Sequence, residues 1–264
     1  MPSRQWTLAQ RRRATYNRKY SRVFRRTLNR QIIPVLKALT VLSYPKVISN
    51  LDKLIKADPI KKDFTRLYIE VAPRFARLQY NELKGKSYQQ VINNTKDAVE
   101  DQWIADIREF INTQSGGRIT SITDSSYELC LKLLQDELKV LFDEGLGVPE
   151  LTRKLHTHLK KQWPKYQRYR AERIARTEIL TASNHGQFMG ADATEYPLLK
   201  KWIATADTRT RDVHMGMLSH PLIPKDDDFD VGGEMMQYPG APTGSAANVI
   251  NCRCTVAFQV VREE

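Results

Sequence analysis

Asn248-Val-Ile-Asn-Cys-Arg-Cys-Thr-Val256 decides how the C-terminal part of this chain folds. Two of the three cysteines, Cys252 and Cys254, stand one residue apart here. From Cys252 to Val261 apolar and polar residues alternate, with β-branched residues among them, and this predicts a strand. In a strand the two sulfurs would face one side about 6–7 Å apart. That is too far to share one metal ion, so metal binding would require the chain to bend. A disulfide across a single residue would close a small, strained ring. The plain alternative is two small buried hydrophobes, because unpaired cysteine is among the most buried residue types.

Upstream, Trp202-Ile203-Ala204 reads as a second short strand, and residues 219–248 have the Pro, Gly, Asp, Ser and Asn content of loops. Asp207-Thr-Arg209-Thr-Arg211-Asp-Val-His214 lies between them. In an extended chain Asp207, Arg209 and Arg211 would point the same way, and His214 would begin a turn or helix. His214, Cys252 and Cys254 form a candidate zinc set, with His220, Asp207 or an aspartate of 226–230 as fourth ligand. The spacing argues against it, since zinc knuckles usually place two to four residues between cysteines. Lys225-Asp-Asp-Asp-Phe-Asp230 fails the EF-hand pattern: Val231 and Gln237 stand at the sixth and twelfth positions from Asp226. His156-Thr-His158 would put its rings on different sides of a helix. No phosphate loop, dinucleotide fingerprint or serine elbow occurs, and no catalytic set is recognisable.

The remainder reads as helices. Pro34, Ser43-Tyr-Pro-Lys46 and Asp58-Pro59 punctuate the first part. Asp63–Lys84, with a kink at Pro73, and Ser87–Thr113 follow. Ser115-Gly-Gly-Arg118 is a predicted turn, Ser125 and Glu128 a predicted capping box, and Gly145-Leu-Gly147 a helix end. Pro149 suits the first turn of the next helix, Trp163-Pro164 should break it, and a further helix covers about Tyr166–Ala193. On that helix Arg173 and Arg176 share a face, as do Glu178 and Thr181. The bland reading is surface ion pairs, worth little each. The sharper one is a helix that anchors the loops after it. The expected fold class is α+β, mostly α: a long helical N-terminal part, then a small loop-rich α+β module with a few short strands. The expected divisions are 1–40, 41–145 and 146–264.

Charge is placed unevenly. Residues 1–30 hold nine Arg, one Lys and no acid, which is +10 of the net +12. At helical spacing Tyr16, Tyr20, Val23, Phe24 and Leu28 take one side of this arm. Arg11, Arg18, Lys19, Arg22, Arg25 and Arg26 take the other, Arg12 and Arg30 lie near the boundary, and Arg13 strays. These residues, Arg13 apart, are the candidate nucleic-acid contacts, because such asymmetry points to a polyanion, either nucleic acid or a membrane surface. Residues 1–30 lack the pattern of a signal peptide. No apolar run approaches the roughly 18 residues of a transmembrane helix. Three cysteines do not suggest a disulfide framework, which fits synthesis in a reducing cytosol.

The ordered motifs Arg176-Thr177-Glu178 with Asn184 and Gly186, Lys201-Trp202, Asp207-Thr-Arg-Thr-Arg211 with His214, Asp228-Phe229, Tyr238-Pro239-Gly240 and Asn251-Cys252-Arg253-Cys254 resemble the phage Mu protein F-like family. These are minor head proteins of tailed bacteriophages. The resemblance spans about residues 146–262. It departs from the family after His214, where Met-Gly-Met-Leu218 replaces the usual turn. It implies a non-enzymatic virion component in the capsid interior or at the portal vertex, made in the host cytoplasm. The implied partners are portal, major capsid or scaffold protein and non-specifically bound double-stranded DNA, with oligomer contacts from the helical part. Arg176, Glu178, Asp207, Arg209, Arg211 and Asn251 would then form a structural polar cluster beside His214, Cys252 and Cys254. Two other classes remain: a metal-dependent hydrolase using the His-Cys-Cys set, and a membrane-surface protein acting through the basic helix.

Overall fold

A computed structural model describes residues 4–85, 98–141 and 144–261. Among the described residues eight helices precede the first strand: α1 Arg4–Gln31, α2 Ile33–Val41, α3 Tyr44–Ile48, α4 Leu51–Leu54, α5 Asp58–Leu83, α6 Ala98–Thr113, α7 Gly116–Leu141 and α8 Val148–Asp192. Then come β1 Leu198–Ile203, α9 Asp212–Gly216, β2 Ile223–Pro224, β3 Phe229–Asp230, β4 Met235–Met236, α10 Ala246–Val249 and β5 Thr255–Val260. The class is α+β with helix predominant, long helices preceding a small stranded module.

The chain forms two compact units, each drawing on more than one stretch of sequence. The helical unit is Tyr20–Asp63 with Ser115–Glu172. Its core joins Ile32, Val35 and Leu39 to Leu51, Cys130, Leu133, Leu134, Leu155, Leu159 and Trp163. The buried Trp163 indole N–H donates to the Leu28 carbonyl at 2.9 Å. The strand-bearing unit is Met1–Lys19, Phe64–Gln114 and Arg173–Glu264. Its sheet has the order β2-β1-β5, antiparallel throughout, with Trp202 opposite Val256 and Ile203 opposite Thr255. Along β1 Leu198, Lys200 and Trp202 alternate inward.

Within this unit α5 and α8 pack closely because small residues face each other. A Cβ on Gly186 would lie 2.2 Å from the Ala72 carbonyl oxygen, and one on Gly190 2.0 Å from that of Ala76. The Gly186 noted in the sequence motif is therefore a site of helix contact.

Several local expectations are corrected. Gly116 and Gly117 open α7, and the turn lies at residues 114–115. Ser125 is inside α7 and caps nothing: its hydroxyl donates back to Ile122 O at 2.9 Å and accepts from Arg170. α8 does not break at Trp163-Pro164. Burial of Trp163 holds the helix through the proline, and the carbonyl that loses its N–H partner belongs to exposed Lys160. The strand expected from Cys252 starts at Thr255. The expected helix start at Ser87 lies outside the described residues.

Candidate metal centre and its buried polar frame

The cysteines precede β5 on a bent segment. Asn251 adopts a left-handed conformation (φ 58°), which asparagine tolerates better than most residues. Its N–H donates to Thr177 Oγ1 at 3.1 Å, and its Oδ1 accepts from Arg176 at 3.1 Å. The turn is completed by Cys252 N–H on Val249 O and by Cys254 N–H on Cys252 Sγ at 3.4 Å. Both sulfurs consequently face one imidazole. His214 Nδ1 is 3.7 Å from Cys252 Sγ and 3.5 Å from Cys254 Sγ, and the three donor atoms lie within 4.8 Å of one another. The relative exposures are 2%, 2% and 1% for His214, Cys252 and Cys254.

α9 delivers His214, and Trp202 of β1 packs edge-on against its ring at 5.5 Å. A hydrogen bond between the sulfurs divides the pair: it pushes the Cys252 thiol well up and holds Cys254 well down. Burial raises both, while His214 favours the Cys254 thiolate. His214 Nε2 and Trp202 Nε1 are buried with no conventional hydrogen-bond partner. Among the described residues no fourth His, Cys, Asp or Glu joins the group. Asp207 is engaged elsewhere, and His220 lies against Phe229 with Nδ1 at 3.0 Å from Pro221 O.

Arg13, the arginine that strays from the basic face of α1, is buried under this turn. It donates to Ser183 Oγ (2.6 Å), Asn184 Oδ1 (2.6 Å), Cys254 O (3.1 Å) and Thr255 Oγ1 (3.2 Å). Burial lowers its pKa to about 10, opposed by the nearby sulfurs. One and two turns earlier, Gln10 and Trp6 donate to Arg253 O at 2.8 and 3.0 Å. The start of α1 is thus built into the module that the C-terminal sequence describes.

α8 presents Thr177, Thr181 and Asn184 along one face. Thr181 donates to Gly240 O at 3.0 Å and Asn184 to Pro239 O at 2.7 Å. Gly240 has φ 86°, and a Cβ there would meet Leu180 and Thr181 at 2.7–2.8 Å, so this position needs glycine.

The sequence-defined polar cluster is only partly assembled. Asp207 accepts two bonds from Arg253 at 2.5 Å each and one from Arg209 N–H at 3.0 Å. The Arg253 bond, ahead of smaller contributions, holds its carboxyl well below the usual range. Arg209 itself is exposed, with Asp207 Oδ2 3.6 Å away. Arg211 donates to Ile250 O at 2.5 Å. Glu178 points elsewhere, accepting from Tyr68 OH at 2.8 Å. Asp207, Arg209 and Arg211 occupy a turn that gives each a different partner, because the segment is not extended.

Of the candidate nucleic-acid contacts, Arg11, Arg18, Arg22, Arg25, Arg26 and Arg30 are exposed and Arg12 is half-buried. Lys19 is paired with Glu70.

Arg253, Arg13, Trp202 and Lys200 were not singled out as site residues from the sequence. Arg253 sits inside the Asn-Cys-Arg-Cys motif, so a charge partner for Asp207 was there to be found. Lys200 had a signal only in the alternation of β1. Its Nζ donates to Gln237 O at 2.9 Å, lies 5.0 Å over Phe229, and burial lowers its pKa to about 8. Arg13 had none beyond its odd angular position.

Residues 134–257, just under half of the chain, match the family described as Phage Mu protein F like protein. No curated protein and no solved structure matches the chain.

Proposed function

We propose, from the match of residues 134–257 to the family described as Phage Mu protein F like protein, that the chain is a minor head protein of a tailed phage. In this reading it works in the procapsid interior near the portal vertex, docks on portal, capsid or scaffold protein, and touches packaged DNA without reading sequence.

The observation that carries the DNA contact is the arginine row of α1. Tyr20, Phe24 and Leu28 are buried, while Arg22, Arg25, Arg26 and Arg30 are exposed. With Asn29 and Ile33 these four line a shallow groove of about 440 Å³. The helical unit holds 20 Lys and Arg against 11 Asp and Glu, net +9, whereas the strand-bearing unit holds 22 against 19, net +3. Cationic side chains on a DNA backbone gain affinity by counterion release, and phosphate contacts position a protein without specifying sequence.

Neither rival reading is favoured. A hydrolytic metal needs a corner open to water and substrate, and His214, Cys252 and Cys254 are buried. The apolar face of α1 that a membrane would require is occupied by protein core, and no described helix is long and apolar enough to cross a membrane.

The test is binding of the full chain to double-stranded DNA across a salt series, against a variant carrying Arg22→Gln, Arg25→Gln, Arg26→Gln and Arg30→Gln. Deleting residues 1–30 is unsuitable, because it removes Trp6, Gln10 and Arg13 from the buried frame. Affinity should be indifferent to sequence and fall steeply with salt. The variant's log–log slope should be shallower by about 0.9 for each phosphate it no longer neutralises. An unchanged slope would remove the DNA contact from the proposal. Imaging of assembled particles tests the location, and density for the protein on the outer shell would overturn it.

A further inference from the structure

We infer that His214, Cys252 and Cys254 bind one zinc ion, which ties the turn before β5 to helix α9. This does not depend on the head-protein reading.

The first support is distance. With zinc–sulfur bonds of about 2.3 Å and zinc–nitrogen bonds of about 2.0–2.1 Å at tetrahedral angles, a sulfur and a nitrogen on one ion stand about 3.6 Å apart. The two observed Nδ1–Sγ separations are 3.7 and 3.5 Å. Two cysteines one residue apart on a straight strand could not achieve this. The backbone at 252–254 is not extended, Cys254 N–H closing back on Cys252 Sγ, while the left-handed Asn251, held by Thr177 and Arg176, orients the segment.

The second support is the surroundings of the sulfurs. The Cys254 N–H donates to Cys252 Sγ at 3.4 Å. Arg13 places a buried cation against the Cys254 carbonyl. A backbone donor and a buried positive charge beside the sulfurs suit thiolates, the form that binds metal. Cys130, the remaining cysteine, has no such frame, and burial pushes its thiol up to about 12.

The donor set selects the ion. Two thiolates and an imidazole are ligands for zinc rather than for calcium or magnesium, which take oxygen. Two thiolates neutralise a divalent cation, leaving Arg13 as the residual charge. Three protein ligands leave the fourth corner to a water molecule, and burial keeps larger molecules from it. The role is structural: the ion would fasten helix α9 to the cysteine turn, whose ligands lie 38 and 40 residues from His214 in sequence.

The experiment uses the full chain, purified under reducing conditions without chelator or metal-affinity resin. Elemental analysis should find one zinc per chain. Replacement by cobalt should give thiolate-to-cobalt charge-transfer absorption. Cys254→Ser should lose the metal and the band, and Cys130→Ala should keep both. Removing zinc with a chelator should lower the Tm. Folded protein that contains no zinc, and shows no cobalt band when the reduced chain is titrated, overturns the inference even if every cysteine variant fails to fold. So does a Cys252–Cys254 disulfide in freshly prepared protein.

Discussion

The two units solve the same problem with different chemistry. The helical unit is held by aliphatic side chains, Trp163 and Cys130. Its described buried polar residues are few: Gln31, Ser115, Ser126, Thr152 and Gln167. The strand-bearing unit buries Arg13, Glu178, Asn184, Lys200, His214 and Asn248 among others, most of them bonded to loop carbonyls or to one another. An apolar core tolerates exchange of similar volumes. A buried polar frame does not, because one removed partner leaves the others unsatisfied. Charge follows the opposite rule: the helical unit keeps its arginines on the surface, the strand-bearing unit has one in its interior.

The largest expected difference comes from two arginines of α1. Arg13→Leu removes a donor set from Ser183, Asn184, Cys254 and Thr255, and should cost about 3–5 kcal/mol. Arg26→Leu, on an exposed position of the helical unit, should change stability by less than about 0.5 kcal/mol. Denaturant unfolding of both full-length variants measures this. Equal losses would show that the contrast between interior and surface arginine is wrong.

This pair also shows what the letters could carry. Helical periodicity separated the exposed arginines of α1 from Tyr20, Phe24 and Leu28, since that is a local, repeating signal. Arg13 was visible only as the residue that broke the pattern, because its partners lie 170 to 242 residues away in sequence. The α+β class was legible from strand alternation, and the loop-rich stretch 219–248 from its composition. Pro164 misled because burial of Trp163 outweighed the local cost of proline. Ser125 misled because a capping pattern also fits the middle of a longer helix. For the cysteines, extended geometry argued against a shared ion. What decides their separation is the non-extended backbone at 252–254, closed by Cys254 N–H on Cys252 Sγ before β5 begins at Thr255.

A second break separates the units by pH. His185 stacks on Phe110 at 4.2 Å, with Nδ1 2.9 Å from Tyr238 OH, and burial lowers its pKa to about 4. The unfolded chain takes up this proton below about 6.5, the folded chain only below about 4. The contribution of this group to stability should therefore be flat above pH 6.5, fall as pH drops through the window from 6.5 to 4, and level off below it. The loss attributable to this group is about 3 kcal/mol. The helical unit's His156 and His158 are only half-buried. Thermal unfolding of wild type and His185→Phe at matched pH should show a shallower acid limb in the variant. Parallel acid limbs would exclude His185 as the cause.

Glycines give the finest comparison. Gly186 faces the Ala72 backbone with no room for a methyl group, so Gly186→Ala must push α5 and α8 apart. Overpacking of this kind typically costs about 1–3 kcal/mol. Gly116 and Gly117 begin α7 with nothing within 4 Å of an added Cβ. Gly117→Ala should instead stabilise the helical unit by about 0.5–1 kcal/mol, by reducing the freedom of the unfolded chain. The same chemical change should thus have opposite signs in the two units, read as opposite shifts in denaturation midpoint. A neutral Gly186→Ala would mean that α5 and α8 can separate freely, and that the close helix contact is not what holds Thr177, Thr181 and Asn184 in position over the cysteine turn.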